Sequence, residues 1–143
     1  MVIIMEYLSE YIVNKYIKNI KNNNPYKIVE IGVGYYFKVA KALKEYDYRI
    51  NLTVVDINKD AIDKAKKEGL NALIDDIFNP KLDIYKHTNL IYSIRPPRDL
   101  QPFILKISKK HNVPLIIKPL YGEPPIGELK LINYNSNAIY VYG

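Results

Sequence analysis

The stretch Val29-Glu30-Ile31-Gly32-Val33-Gly34 constrains this chain more than any other. It continues Tyr26-Lys27-Ile28, so a β-branched apolar run ends in a turn built on two glycines. Apolar residues then return at helical spacing as Phe37, Val39, Ala40 and Leu43. A buried strand that breaks at glycine and resumes as an amphipathic helix is the start of a β-α unit. Gly32 permits the tight turn, and Gly34 lets a ligand approach the backbone where a Cβ would otherwise stand.

The same alternation continues. Residues 52–56 form a second apolar strand ending in Asp56, and Asn58 is placed to cap a helix that turns Ala61, Ile62 and Ala65 inward and stops at Gly69. Residues 72–74 make a third strand, closed by Asp75 and Asp76. The connection over 80–85 has room for only a helical turn or two before a fourth strand at 89–94. Asp99 is expected to cap a helix through Lys110, with Pro102 tolerated in its first turn, and residues 113–117 form a fifth strand. Residues 128–133 and 138–142, joined around Asn135-Ser136-Asn137, read as an antiparallel hairpin. Ahead of these units, Ile4, Leu8, Tyr11, Ile12, Ile17 and Ile20 share one face of an N-terminal helix within 1–21, which Asn22-Asn23-Asn24-Pro25 ends.

Strands alternating with helices predict an α/β fold: one doubly wound, Rossmann-like domain over residues 1–143, mostly parallel, with a C-terminal antiparallel hairpin. Right-handed crossovers place ligands at the carboxyl ends of such strands, near the point where strand order reverses. Asp56, about twenty residues after the glycine turn, sits where a carboxylate accepts both hydroxyls of a ribose. Asp76, after the third strand, is placed to accept from an exocyclic adenine amine.

Composition narrows the function classes. With no cysteine, thiolate nucleophiles, disulfides and cysteine-based zinc sites are excluded. His87 and His111 lack metal-ligand spacing, so no metal site is expected. The start lacks a basic leader, and no apolar run approaches the ~20 residues of a membrane span, so a cytoplasmic protein is expected. The 21 basic against 15 acidic residues give +6, which invites RNA or another polyanion as a partner. Yet Lys18, Lys21, Lys44, Lys66, Lys67, Lys109 and Lys110 fall in expected last helical turns, where cations complement the helix dipole.

Val29-Glu30-Ile31-Gly32-Val33-Gly34 resembles the first motif of class I S-adenosylmethionine-dependent methyltransferases. Val54-Val55-Asp56-Ile57-Asn58 with Ala61, Ile62 and Ala65 resembles their second, and Ile74-Asp75-Asp76-Ile77 their third. The resemblance spans roughly residues 26–120. More narrowly, Tyr92-Ser93-Ile94-Arg95-Pro96-Pro97 resembles a family of short, uncharacterised archaeal proteins with this fold. The resemblance to the methyltransferases implies S-adenosylmethionine as cofactor, with Glu30 orienting the first loop and Gly32 and Gly34 lining the methionine part. Asp56 and Ile57 would then meet the ribose side, and Asp76 the adenine.

The departures from that pattern carry information too. Tyr36 stands where the loop usually has a third small residue, with Tyr35 before it. After the fourth strand, amine methyltransferases often have an Asp or Asn before two prolines and an aromatic; here the segment is Arg95-Pro96-Pro97-Arg98. Arg95 and Pro96, with Lys118 after the fifth strand, form a substrate rim suited to an anionic group. The plainer reading of Arg95 ties its loop to an acid such as Asp99. Three functions follow: a methyltransferase of unassigned acceptor, a non-catalytic nucleoside- or RNA-binding module on the same fold, and a nicotinamide-binding oxidoreductase. The sequence assigns neither a reaction nor an oligomeric state.

Overall fold

The computed structural model describes residues 5–120 and 122–143. The chain enters as α1 (Tyr7–Ile12) and widens into a π-helical turn over Val13–Ile17, where the Lys18 amide donates to the Val13 carbonyl at 2.8 Å. The N-terminal helix is thus shorter than the 1–21 expected, and its first four positions lie outside the described residues. There follow β1 (Tyr26–Ile31), α2 (Lys38–Tyr46), β2 (Ile50–Asp56), α3 (Lys59–Lys67) and β3 (Asn71–Ile74). A single 3-10 turn over Ile84–His87 leads to β4 (Leu90–Ile94), then α4 (Gln101–His111) and β5 (Leu115–Lys118). The hairpin β6 (Lys130–Tyr134) and β7 (Asn137–Tyr142) closes the chain.

The seven strands form one sheet in the order β3-β2-β1-β4-β5-β7-β6, parallel from β3 to β5 and antiparallel at the hairpin. Strand order reverses between β1 and β4, so the crevice outside their carboxyl ends is the natural ligand position. Tyr134 pairs with Asn137 across a two-residue loop, with φ of 49° at Asn135 and 65° at Ser136. Two left-handed residues make the turn whose twist matches a hairpin's, and Asn tolerates that conformation better than most.

Parallel strands bury both faces, which is why the central strands are apolar almost throughout. On one face α1, α2 and α3 bring Leu8, Ile12, Val39, Leu43 and Ile62 against Ile28, Val54 and Leu90. On the other, α4 and the 3-10 turn bring Ile104, Ile107 and Tyr85 against Val29, Ile31, Ile91 and Ile117. The thin 80–85 connection expected from the sequence is therefore present as a single turn, and it still buries Tyr85.

Of the two caps expected from the sequence, one forms. The Asn58 side chain accepts from the Asp60 and Ala61 amides at the start of α3, as its position predicts. Asp99 does not cap α4. The chain makes turns first, with the Leu100 amide donating to Pro97 and the Gln101 amide to Arg98, so the helix begins at Gln101 with no side-chain cap. Pro102 sits in its first turn, where no amide is missed.

Candidate functional site

β1 delivers the glycine turn to the reversal point. Both glycines adopt left-handed backbone, φ 72° at Gly32 and 56° at Gly34, a region that costs L-residues about 1 kcal/mol or more. A Cβ built on Gly34 would meet nothing within 4 Å, so the surface above it is open. The loop is held from beneath by β2, since the Gly32 and Val33 amides both donate to the Val55 carbonyl.

Asp56 is turned toward this loop. Its Oδ2 accepts from the Gly34 amide at 2.8 Å and its Oδ1 from the Asn58 amide at 2.9 Å. One carboxylate thus ties the β1 turn to the β2–α3 corner. A carboxylate offers about four lone-pair sites, so two remain free on the solvent side of this half-buried group. Ile57 follows it with its side chain 65% exposed, an apolar rim beside the acid.

Beneath the loop lies a buried acid. Glu30 has no exposed surface, and Tyr92 on β4, its direct register partner, donates to its Oε1 at 2.6 Å. The other oxygen, Oε2, is buried with no hydrogen-bond partner among the described residues. Burial pushes the Glu30 carboxyl up to about 8; the Tyr92 hydroxyl works against that rise, and the charge of Asp56 adds to it.

The two tyrosines after the turn part company. Tyr36 is partly buried and packs against the core cluster that α1 and α2 share with the sheet. Tyr35 stays half exposed and crosses to α3: its hydroxyl donates to Asp60 at 2.9 Å and accepts from Asn58 at 3.2 Å. The Lys64 ammonium stands 4.9 Å from its ring centroid, a cation-π contact that holds the ring at the outer rim.

Of the two acids after β3, the sequence favours Asp76 as a ligand contact, and the structure shows a different job for its neighbour. Asp75 is buried and gathers the following loop, accepting from the Asp76 and Lys81 amides at 3.0 Å each and from the Tyr85 hydroxyl at 2.7 Å. Asp76 is half buried and spends Oδ1 on the Phe78 amide at 3.0 Å, which leaves Oδ2 for another donor. Tyr85→Phe should cost about 1.5–3 kcal/mol in urea unfolding, the worth of one hydrogen bond to a carboxylate and no more, because the loop amides still satisfy Asp75. A loss of several kcal/mol would show that the tyrosine alone holds this loop.

The third group lies across the reversal point. Arg95 follows β4 with φ 48°, and its amide donates to the Lys118 carbonyl at 2.7 Å, adding a rung to the β4–β5 ladder. Among the described residues Arg95 forms no ion pair, so it is not tied to Asp99. Pro96 is buried behind it and shapes the turn rather than the rim surface. Lys118 is only 8% exposed, with its ammonium 4.0 Å from Glu6 Oε2 and 4.7 Å from the Tyr7 ring centroid. Burial lowers its pKa, Glu6 opposes that, and Arg95 adds to the lowering. Glu6 and Tyr7 were not legible as site residues in the sequence; a helix start more than a hundred residues from Lys118 gives no local signal.

Sheet order and helix placement define a methyltransferase-type Rossmann fold. The CurJ carbon methyltransferase matches it with a TM-score of 0.60 at 13% identity, over 79% of this chain and 34% of that one. The plantazolicin methyltransferase BpumL, solved in complex with SAH, matches with 0.57 at 19% identity, over 78% and 43%. This chain therefore spans about a third to two-fifths of those methyltransferase chains. A saccharopine dehydrogenase of Saccharomyces cerevisiae is also similar, with a TM-score of 0.54 at 17% identity, over 69% of this chain and 22% of that one.

The chain belongs to the uncharacterised protein family UPF0146, whose model matches residues 12–143. A member from Methanocaldococcus jannaschii is 55% identical over 121 residues, 85% of this chain and 86% of that one. One from Pyrococcus furiosus is 50% identical over 115 residues, 80% and 86%. Among the described residues no helix is long and apolar enough to cross a membrane.

Proposed function

We propose that this chain is a one-domain, cytoplasmic S-adenosylmethionine-binding protein of methyltransferase type. The observation that carries the reading is the half-buried Asp56 carboxylate at the end of β2, fixed between the Gly34 and Asn58 amides. Its free lone pairs suit the two hydroxyls of a ribose. Gly32 and Gly34 form a surface on which a ligand lies against bare backbone, and Ile57 offers an apolar contact beside the acid. Asp76 Oδ2 suits the adenine amine.

When bound, S-adenosylmethionine supplies an electrophilic methyl group on its sulfonium. The protein's part is positioning: holding the nucleoside by Asp56 and the loop while the β4 and β5 ends face the acceptor. A second reading, a binding module without catalysis, is favoured by one observation. Arg95 occupies the β4 end, where amine methyltransferases often carry an Asp or Asn.

Calorimetric titration with S-adenosylmethionine, S-adenosylhomocysteine and NAD tests the cofactor reading. Heat with the first two and none with NAD is expected; binding of NAD alone would turn the reading to a dinucleotide site, and silence from all three would end it. Transfer of labelled methyl groups into a cell extract then separates enzyme from module.

A further inference from the structure

A cleft of about 820 Å³ opens beside the glycine loop, between the start of α1 and the hairpin, and no proposed cofactor contact lines it. Its floor is set by the ends of β4 and β5. Arg95, Lys118 and Tyr7 line one side, and Asn133 and Asn137 of the hairpin line another. Glu123 is the one acidic residue lining it among the described residues, and Gln101 already donates to that carboxylate at 3.3 Å.

Three features suit this cleft to an anion. The Lys118 side chain is 10% exposed; its ammonium makes no hydrogen bond among the described residues, and its one carboxylate partner there, Glu6 Oε2, stands at 4.0 Å, the long edge of an ion pair. An ammonium carries three donors, and a single carboxylate at that distance leaves them for another acceptor. Arg95 is likewise unpaired among the described residues, although its fork is built for bidentate oxyanions. The third feature is backbone. Arg95 holds φ 48°, a conformation that costs a non-glycine residue about 1–2 kcal/mol, and glycine would remove that cost. Strain kept at an exposed arginine beside a second cation marks a position held for its side chain.

We propose that this cleft binds the phosphate or carboxylate group of a small molecule, seated by Arg95 and Lys118. That the molecule is the methyl acceptor rests on the cofactor reading above; that the cleft takes an anion does not. The register supports the link. Ile31 pairs with Ser93 and Ile94 with Lys118, so the anion would sit two strands from the end of β2 and next to the glycine turn. The cleft size suits a whole metabolite, and with Glu123 on its lining and Glu6 beside Lys118 its two cations suit a single charged group better than a nucleic-acid backbone.

The experiment is NMR titration of the full chain with glycerol 3-phosphate and with malate, using glycerol as the uncharged control. Shifts are expected at the Arg95, Lys118, Gly122 and Asn137 amides with either anion and none with glycerol. A response to only one anion assigns the group as phosphate or as carboxylate and supports the site either way. Arg95→Gln should weaken binding at least tenfold, whereas Lys106→Gln, an equal loss of charge on exposed α4 surface, should not. Arg95→Gly should also lose binding while folding at least as stably as the native chain, which separates a lost ligand contact from a damaged turn. Equal weakening by the Arg95 and Lys106 variants, or shifts spread over the lysines of α3 and α4, would overturn the site in favour of a diffuse polyanion-binding surface. S-adenosylhomocysteine binding should be unchanged in Arg95→Gln. If the nucleoside fails to bind the native chain while the anion binds, the cofactor reading falls and the anion site stands.

Discussion

Asp56→Ala should weaken S-adenosylhomocysteine binding at least 100-fold, about 2.7 kcal/mol. Two hydroxyl-to-carboxylate hydrogen bonds are at stake, and bonds to charged groups contribute about 1.5–3 kcal/mol each. The alanine would also strip the Gly34 and Asn58 amides of their acceptor, so part of the loss would come from a slackened loop. Asp56→Asn separates these effects. It keeps an oxygen for one of the two amides and removes the charge, so binding should fall about tenfold or more while the urea midpoint moves little. Native affinity in Asp56→Asn would remove this carboxylate from the site.

Replacing Glu30 by glutamine should reshape the pH dependence of stability. Glu30 holds its proton up to about 8 in the folded chain, against an ordinary carboxyl value of 4.5. Between those values the folded state carries a proton that the unfolded state has released. Stability is therefore greatest below the unfolded value and falls as pH rises toward 8, with a slope approaching about 1.4 kcal/mol per unit from this one group. Glutamine keeps an acceptor for Tyr92 but has nothing to titrate. Its unfolding curves should match or lie below the native ones near pH 5 and rise above them by pH 9. Parallel curves across that range would mean that Glu30 is ionised throughout and stabilised by something other than Tyr92.

These residues also show how far sequence reading reaches. Gly32, Gly34, Asp56 and Asn58 are legible because each acts within a few residues of its own turn: the loop needs left-handed backbone, the strand end needs an acid, the helix start needs a cap. Asp99 illustrates the limit of the same logic, since two extra turns after Pro97 displace the helix start beyond its reach. Neighbouring acids after β3 cannot be told apart by spacing, because the bend of the following loop decides which carboxylate turns inward, and it chose Asp75. The Glu30–Tyr92 bond depends on the pairing of β1 with β4 across 62 positions. Lys118 near Glu6 and Tyr7 depends on how α1 crosses the sheet. Neither partner announces the other.

The wide turn at Val13–Ile17 sets the rotational phase of the chain's first helix. One residue absorbed as a bulge turns everything before it by about 100° relative to a regular helix anchored at Ile17. With that offset Leu8 is wholly enclosed while Tyr7, one position earlier, reaches the Lys118 ammonium. Removing a single residue from this turn would swing both side chains together, uncovering Leu8 and drawing the phenol off the cation. The packing of one leucine and the wall of the cleft therefore depend on the same irregularity in the helix.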